Sequence, residues 1–471
     1  MKISATVAAM AAIVVGQASA YPFFMFPELL GKDAMSRSFL ENVDPEFLKR
    51  AGVPTLAPYP DNFGIPKEYI FDEKLQFVDL TGENEWRAPG PDDQRGPCAG
   101  LNALANHGFI SRDGVVDRDD VINGIHKGVG LSQDATVILE ALTSFFNGDP
   151  VSGKWSIGGY SPKVATLGPL QEGLLGKPAG ICGLGHLRSE GDASITRGDF
   201  SQPTGNNNNC RSYPQYAKEL MDLAREKYPE DGRITPSILA EHQHRRKLYS
   251  IANNPNYFSP PYAGVAFTPA AHHFVFALMA NKSEEFPQGY LSPENFMSWF
   301  SYTGDPQGEI SYTYGHERIP APFYKRHPLF EWTFADILAA LAQQIEAFPT
   351  TMAVGGNTGT VNSFSGVNIG DLTGGAVTAM HELTDPAKLS CFLSQAIQSS
   401  TPTFISNISP ALQQQFLDAS VGKLFPALTA AFGECNDFLS KKGRAIESYN
   451  GTYPGATAEL HDSSRELSPS P

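Results

Sequence analysis

Arg95-Gly-Pro-Cys98-Ala-Gly-Leu-Asn102-Ala-Leu-Ala-Asn106-His107-Gly108 decides how this chain is read. Pro97 suits the first position of a helix and Gly108 its C-terminal cap, so the segment predicts a helix with Cys98 in its opening turn. Free N–H groups and the positive end of the helix dipole stabilise a thiolate at such a place. A cysteine there can be a nucleophile, a metal ligand or half of a disulfide, and position alone leaves all three open.

Working toward the N-terminus, residues 21–90 are irregular, with Pro-rich stretches. Before them lies a leader pattern: Lys2, an apolar run from Val7 to Val15, and the small residues Ala18-Ser19-Ala20. Residues 1–20 therefore read as a signal peptide, too short to span a bilayer. The chain is expected to be secreted and extracellular, with no membrane span. A net charge of −15 opposes binding to nucleic acid. Five cysteines (Cys98, Cys182, Cys210, Cys391 and Cys435) in an oxidising compartment leave one thiol over. Asn281-Lys-Ser, Asn407-Ile-Ser and Asn450-Gly-Thr are glycosylation sequons.

Toward the C-terminus, apolar residues recur at helical spacing. Helices are predicted over Asp117–Gly128, Gln133–Phe146, Tyr213–Tyr228, Thr235–Ala252, Phe267–Ala280, Pro293–Phe300, Phe334–Glu346, Asp385–Ser399 and Pro410–Phe432. Alternating runs are scarce, so the fold class is mainly α. Residues 353–378 are Gly/Thr/Ser-rich, a surface loop or a linker. The tail, 441–471, is expected to be disordered. The basic run Arg245-Arg-Lys247, with His242 and His244, reads as a solvated helix face. Ser189-Glu190-Gly191-Asp192-Ala193-Ser194 reads on its own as a helix start capped by Asp192 or Ser194.

The Cys98 segment resembles the proximal motif of the fungal heme-thiolate peroxidases, the chloroperoxidases and unspecific peroxygenases. Ala99 stands where that family has a second proline. Glu190-Gly191-Asp192-Ala-Ser194 is similar to the signature of the family's long branch, and Glu241 to Pro260 to its basic helix and Asn-Pro turn. The resemblance implies a single helical domain over residues 21–440, with long loops and a heme b whose iron is bound by Cys98. It implies a Mg²⁺-type cation held against a heme propionate by Glu190, the Gly191 carbonyl and Ser194; hard oxygen donors suit that ion. It also implies a Cys391–Cys435 disulfide, leaving Cys182 and Cys210 as a candidate second bridge that the family does not carry.

The reaction implied is peroxide-driven oxidation or oxygenation of a small organic substrate. Halide oxidation is the alternative, as is a secreted, non-catalytic scaffold binding heme or an apolar ligand. Pocket width, set around Leu131, Ser189 and Phe267, bears on the choice. The family's distal glutamate and its arginine have no counterpart in Pro260–Phe276, where His272 and His273 fall close to the glutamate's place. An imidazole can move the same proton, so one of these two is the expected acid–base group, with Glu190 next. Nothing in the sequence sets the oligomeric state.

Overall fold

The computed structural model describes residues 58–65, 67–149, 152–164, 178–203, 207–348, 353–399, 435, 449 and 451–456. The leader, Asn407, Asn450, the helix predicted over Pro410–Phe432 and most of the tail lie outside these residues.

Helices longer than one turn are α1 Ala99–Asn106, α2 Arg118–Val129, α3 Gln133–Asn147, α4 Leu184–Ser189, α5 Pro214–Lys227, α6 Pro236–Asn253, α7 Thr268–Met279, α8 Pro293–Trp299, α9 Phe334–Ala347 and α10 Pro386–Ser399. Their ends follow local chemistry. Asp117 and Ser132 cap α2 and α3 through their side chains, and Gly130 closes α2 in the left-handed region. Pro236 opens α6 at its first position. Thr333 and Asp336 form a reciprocal capping box at the start of α9.

The strands are short. β1 Val115–Val116 pairs with β2 Trp155–Ser156, and β4 Tyr302–Gly304 with β5 Ile310–Tyr312, both antiparallel. β3 Phe258–Ser259 pairs with β6 Gly355–Gly356, which pairs in turn with β7 Ser365–Gly366. The Gly-rich stretch thus folds back on the domain as a hairpin. Asn357, fully buried, donates to the carbonyls of Ile251 and Asn254 at 2.8 and 2.7 Å.

A large apolar core joins the helices, with a smaller cluster of Ala193, Leu248, Ile251, Ala252 and Tyr257 beside it; α6 and α7 pack together, α7 on α9, α1 on α2 and α2 on α3. A π-helical turn, Ala263–Phe267, leads into α7. No helix among the described residues is long and apolar enough to cross a membrane.

Two expectations are corrected here. The basic face of α6 is not solvated: Arg246 and Lys247 are buried. The Arg246 guanidinium lies 3.5 Å from the centre of the Tyr216 ring and donates to the Ser194 carbonyl at 2.8 Å. Lys247 donates to the Ala353 carbonyl at 2.7 Å. His242 is buried as well, while His244 is half-buried and stacks on Phe348. These cations find backbone oxygens and ring faces inside, which offset their desolvation. Nor is the tail wholly free, because Tyr449 and Tyr453 are buried and Tyr453 packs against Phe258.

Candidate active site

α1 begins two residues later than its sequence predicts, so Cys98 is the N-cap residue rather than part of the first turn. The effect on the sulfur is the one such a position provides. The N–H groups of Leu101 and Gly100 in the first turn favour its thiolate. Cys98 is a free thiol, reached from the cavity described below although it lies well beneath the outer surface. Burial pushes its pKa up, with the Leu101 N–H, Arg197 and the Gly100 N–H working against that and Glu190 adding to it. A metal ion bound at the sulfur displaces the proton and removes that penalty.

The polar residues around Cys98 hold its loop. Asn102 Oδ1 accepts from Gly96 N at 3.0 Å, while its Nδ2 donates to Gly96 O at 2.8 Å. Gly96 has to be glycine, because a Cβ there would stand 1.9 Å from the Ile157 carbonyl. Asn106 accepts two bonds from Arg95 and donates to the carbonyls of Gly315 and Glu317. His107 bonds the Asn84 carbonyl at 2.8 Å. Arg197 donates to the Pro97 carbonyl at 2.8 Å and to Tyr312 at 2.9 Å, and pairs with Glu317 at 3.3 Å. Burial opposes its charge, but Tyr312, Glu317 and Tyr302 outweigh burial and hold the guanidinium charged.

Cys98 opens on a cavity with about 1230 Å³ of free space, mouth included. Its walls come from α1, α2, α3, α4 and α7 and are largely apolar, including Leu104, Ile125, Phe267 and Phe274. Leu131, Ser189 and Phe267, the three positions on which pocket width turned, all line it. Leu139, Phe267 and Phe274 also line a second apolar chamber, which reaches Leu142, Ile337 and Leu341 behind them.

Glu190 and Ser194 both line the cavity, next to the Gly191 turn. Neither Asp192 nor Ser194 caps a helix; residues 191–197 are irregular, following the α4 C-cap Glu190. Asp192 instead accepts from Phe200 N at 2.8 Å and from Asn254 at 3.3 Å, fastening the turn to the end of α6. Glu190 Oε2 meets His186 Nε2 at 2.7 Å, and its Oε1 is buried without a hydrogen-bond partner. Burial pulls the Glu190 pKa upward, but His186, Ser194 and His272 more than compensate and leave it below the usual glutamate value.

The two expected acid–base histidines are turned away from this cavity. α7 presents Ala271, Phe274, Val275 and Leu278 to it, and neither His272 nor His273 lines it. His272 Nδ1 bonds the Thr268 carbonyl at 3.0 Å, and its ring meets His242. His273 lies between Tyr59 and Gln344, at 3.2 and 3.3 Å. Adjacent helix residues point about 100° apart, and here Ala271 takes the inward direction. Burial lowers both imidazoles, to about 4 for His272 and about 3 for His273, so both are neutral at neutral pH. His186 went unassigned in the sequence, although four-residue spacing from Glu190 on a short helix signals the pair.

The disulfides are Cys182–Cys210, which encloses the Glu190 turn, and Cys391–Cys435. The Asn281 amide donates to Pro322 O at 3.1 Å and accepts from Tyr324 N at 2.7 Å.

With a free helix-start thiol facing an apolar cavity on the page, the comparison with known proteins is direct. Residues 84–328 match the family described as "Peroxidase, family 2". The chain belongs to peroxidase family 2. It is 38% identical over 338 residues to a dothistromin biosynthesis peroxidase of Dothistroma septosporum, covering 72% of this chain and 77% of that protein. It is 32% identical over 348 residues to an aromatic peroxidase of Fusarium equiseti, covering 73% and 76%. An aromatic peroxygenase of Coprinellus radians is 29% identical over 264 residues, covering 54% of this chain and 94% of its own. As a member of peroxidase family 2 the chain is a peroxidase-type oxidoreductase, and the family implies heme and hydrogen peroxide. Cys98 is the thiol of this chain that no disulfide takes up among the described residues.

Proposed function

We propose that the protein is a secreted heme-thiolate peroxidase or peroxygenase that uses hydrogen peroxide to oxidise small apolar aromatic compounds. Cys98 carries this reading: a free thiol at the N-cap of α1, facing an apolar cavity. The cavity fits heme b, because its aliphatic and aromatic lining suits the faces of a porphyrin. Cys98 would hold its iron. A thiolate-bound heme supplies peroxide chemistry, since the thiolate's electron density favours O–O cleavage.

The chain's own residues do the rest. The first-turn N–H groups of Leu101 and Gly100 favour the thiolate and moderate its charge. Arg197 holds the Pro97 carbonyl, and so the direction from which Cys98 enters. Phe267 and Phe274 offer ring faces to an aromatic substrate. Glu190, the Gly191 carbonyl and Ser194 are the set that would hold Mg²⁺ at a propionate. The lowered pKa of Glu190 and its unpartnered Oε1 support that assignment. Two disulfides and the leader pattern support secretion.

The test is spectroscopic. Cys98→Ala should lose the red-shifted Soret band of the reduced carbonyl complex that marks thiolate ligation; a variant that keeps it refutes the assignment. Metal analysis of Glu190→Gln should show one bound cation fewer.

A further inference from the structure

Behind the Cys98 cavity lies the second apolar chamber, with about 510 Å³ of free space, mouth included. Leu139, Phe267 and Phe274 stand between the two and line both. These three are only half-buried, although Ile138, Ala266, Ala270 and Val275 around them are buried. A side chain in a close-packed core has no room to turn, whereas one that borders free space on two sides has. The partition therefore has room to yield to a ligand longer than one ring.

The far side of the chamber is built by later helices. α9 contributes Ile337, Leu338 and Leu341, and α10 contributes Ser390 and Leu393. Both helices follow residue 328, where the family match ends, so this wall lies outside the matched segment. On the near side the π-helical turn supplies Ala266 and Phe267. Such turns recur at functional sites. Among the described residues that line the chamber, Tyr262 and Ser390 carry hydroxyls, and none is charged. Ser390 is fully buried, and its Oγ has no hydrogen-bond partner among the described residues. Buried hydroxyls are nearly always bonded, and a serine on a helix has the carbonyl four residues back within reach. A partnerless one on the wall of an apolar chamber is a bond left open for whatever enters.

We infer that the chamber is a subsite for the remote end of a fused-ring aromatic substrate, and that Ser390 recognises an oxygen on that end. This deepens the reading above and rests on it for the place of reaction. The ring to be oxidised lies in the main cavity, onto which Cys98 opens. The next ring passes between Phe267 and Phe274, whose faces suit it. Its substituent is a hydroxyl or a carbonyl, because a serine hydroxyl both donates and accepts. A carboxylate or an ammonium group is disfavoured there, since no charged side chain among the described residues of the wall would offset its burial. A bare hydrocarbon fits the space but leaves Ser390 unbonded, so the subsite discriminates by that one bond.

Equilibrium dialysis of the purified holoprotein against 2-naphthol, naphthalene and phenol tests this without turnover. Wild type should bind 2-naphthol more tightly than naphthalene. Ser390→Ala should cut that preference by about 3–10-fold, which is what one neutral hydrogen bond contributes. Phenol, which needs only the main cavity, should bind as in wild type. The melting temperature of Ser390→Ala should not fall, because the oxygen removed has no partner. Ser390→Leu should fill the chamber and weaken both fused-ring ligands, again sparing phenol; if it does not fold, Ser390→Ala carries the test. A naphthol-to-naphthalene preference that is absent in wild type, or unchanged in Ser390→Ala, overturns the inference. So does its loss in Tyr262→Phe instead, which would move the anchor to the phenol group. Equal weakening of phenol in Ser390→Ala overturns it too, by placing the effect in the main cavity. The reduced carbonyl band is recorded on the same preparations. Its absence from wild type would sink the heme-thiolate reading, while the dialysis ratios would still decide this one.

Discussion

Arg197 and Glu317 form a buried ion pair, 3.3 Å apart, in which the arginine also holds the carbonyl of the residue before Cys98. The pair joins the turn that follows Glu190 to the segment behind α1. A buried charge that loses its partner is costly, whereas replacing both partners is far less so.

Arg197→Met should therefore destabilise the protein by about 3–5 kcal/mol. Adding Glu317→Leu should recover part of that loss. Denaturant unfolding of the two single variants and the double variant measures the coupling. Strict additivity would mean that the two side chains do not act as a pair.

His273 makes the fold acid-sensitive. Burial holds its pKa down at about 3, against an ordinary histidine value of 6.5, and the Gln344 bond offsets only part of that. Between these values the unfolded chain binds a proton that the folded chain refuses. Stability is therefore complete above about 6.5 and is lost as pH falls toward 3. At pH 5 this one group should account for about 2 kcal/mol. Unfolding curves at pH 7 and pH 5 should show a smaller difference for His273→Gln than for wild type. The same variant should react with peroxide at a rate within a few-fold of wild type.

Phe274 stands in the walls of both the main cavity and the chamber behind it. Phe274→Ala should join the two. Competition between a one-ring and a fused-ring aromatic substrate should move several-fold toward the larger, the scale on which pocket volume discriminates. The cavity created should cost up to about 3 kcal/mol in stability. An unchanged ratio would show that the larger substrate never reaches this wall.

The bridge Cys182–Cys210 spans 28 positions and encloses the Glu190 turn. Cys182→Ser with Cys210→Ser should cost about 3–4 kcal/mol by the chain-entropy estimate. If the bridge also steadies the turn, added Mg²⁺ should protect the double variant from unfolding less than it protects wild type.

The helices were legible in the sequence because their periodicity is local. The Gln133 helix, the Pro236 start and the Phe334 helix stand within a residue or two of the predicted positions. A helix opening at about Cys98 was legible too, from the proline before it, although the helix begins just after the cysteine. The histidines were not. Which of three consecutive residues on α7 faces inward depends on its rotation against α9 and on Tyr59, elements far away in sequence. The basic run misled for a related reason. Charged residues usually mark a solvated face, but Arg246 and Lys247 find a ring face and backbone oxygens within the fold.

The Gly355–Gly356 hairpin changes what a minimal enzyme would be. The family match ends at residue 328, which invites trimming the gene there. Such a cut would remove Gln344 from beside His273, the Ala353 carbonyl from Lys247 and the Asn357 amide from the end of α6. The shortened product would keep Cys98 and its asparagines yet expose the back of α6 and α7 to water. It would be recovered as aggregate rather than as a smaller oxidant, so the later segment is a buttress and not a detachable module.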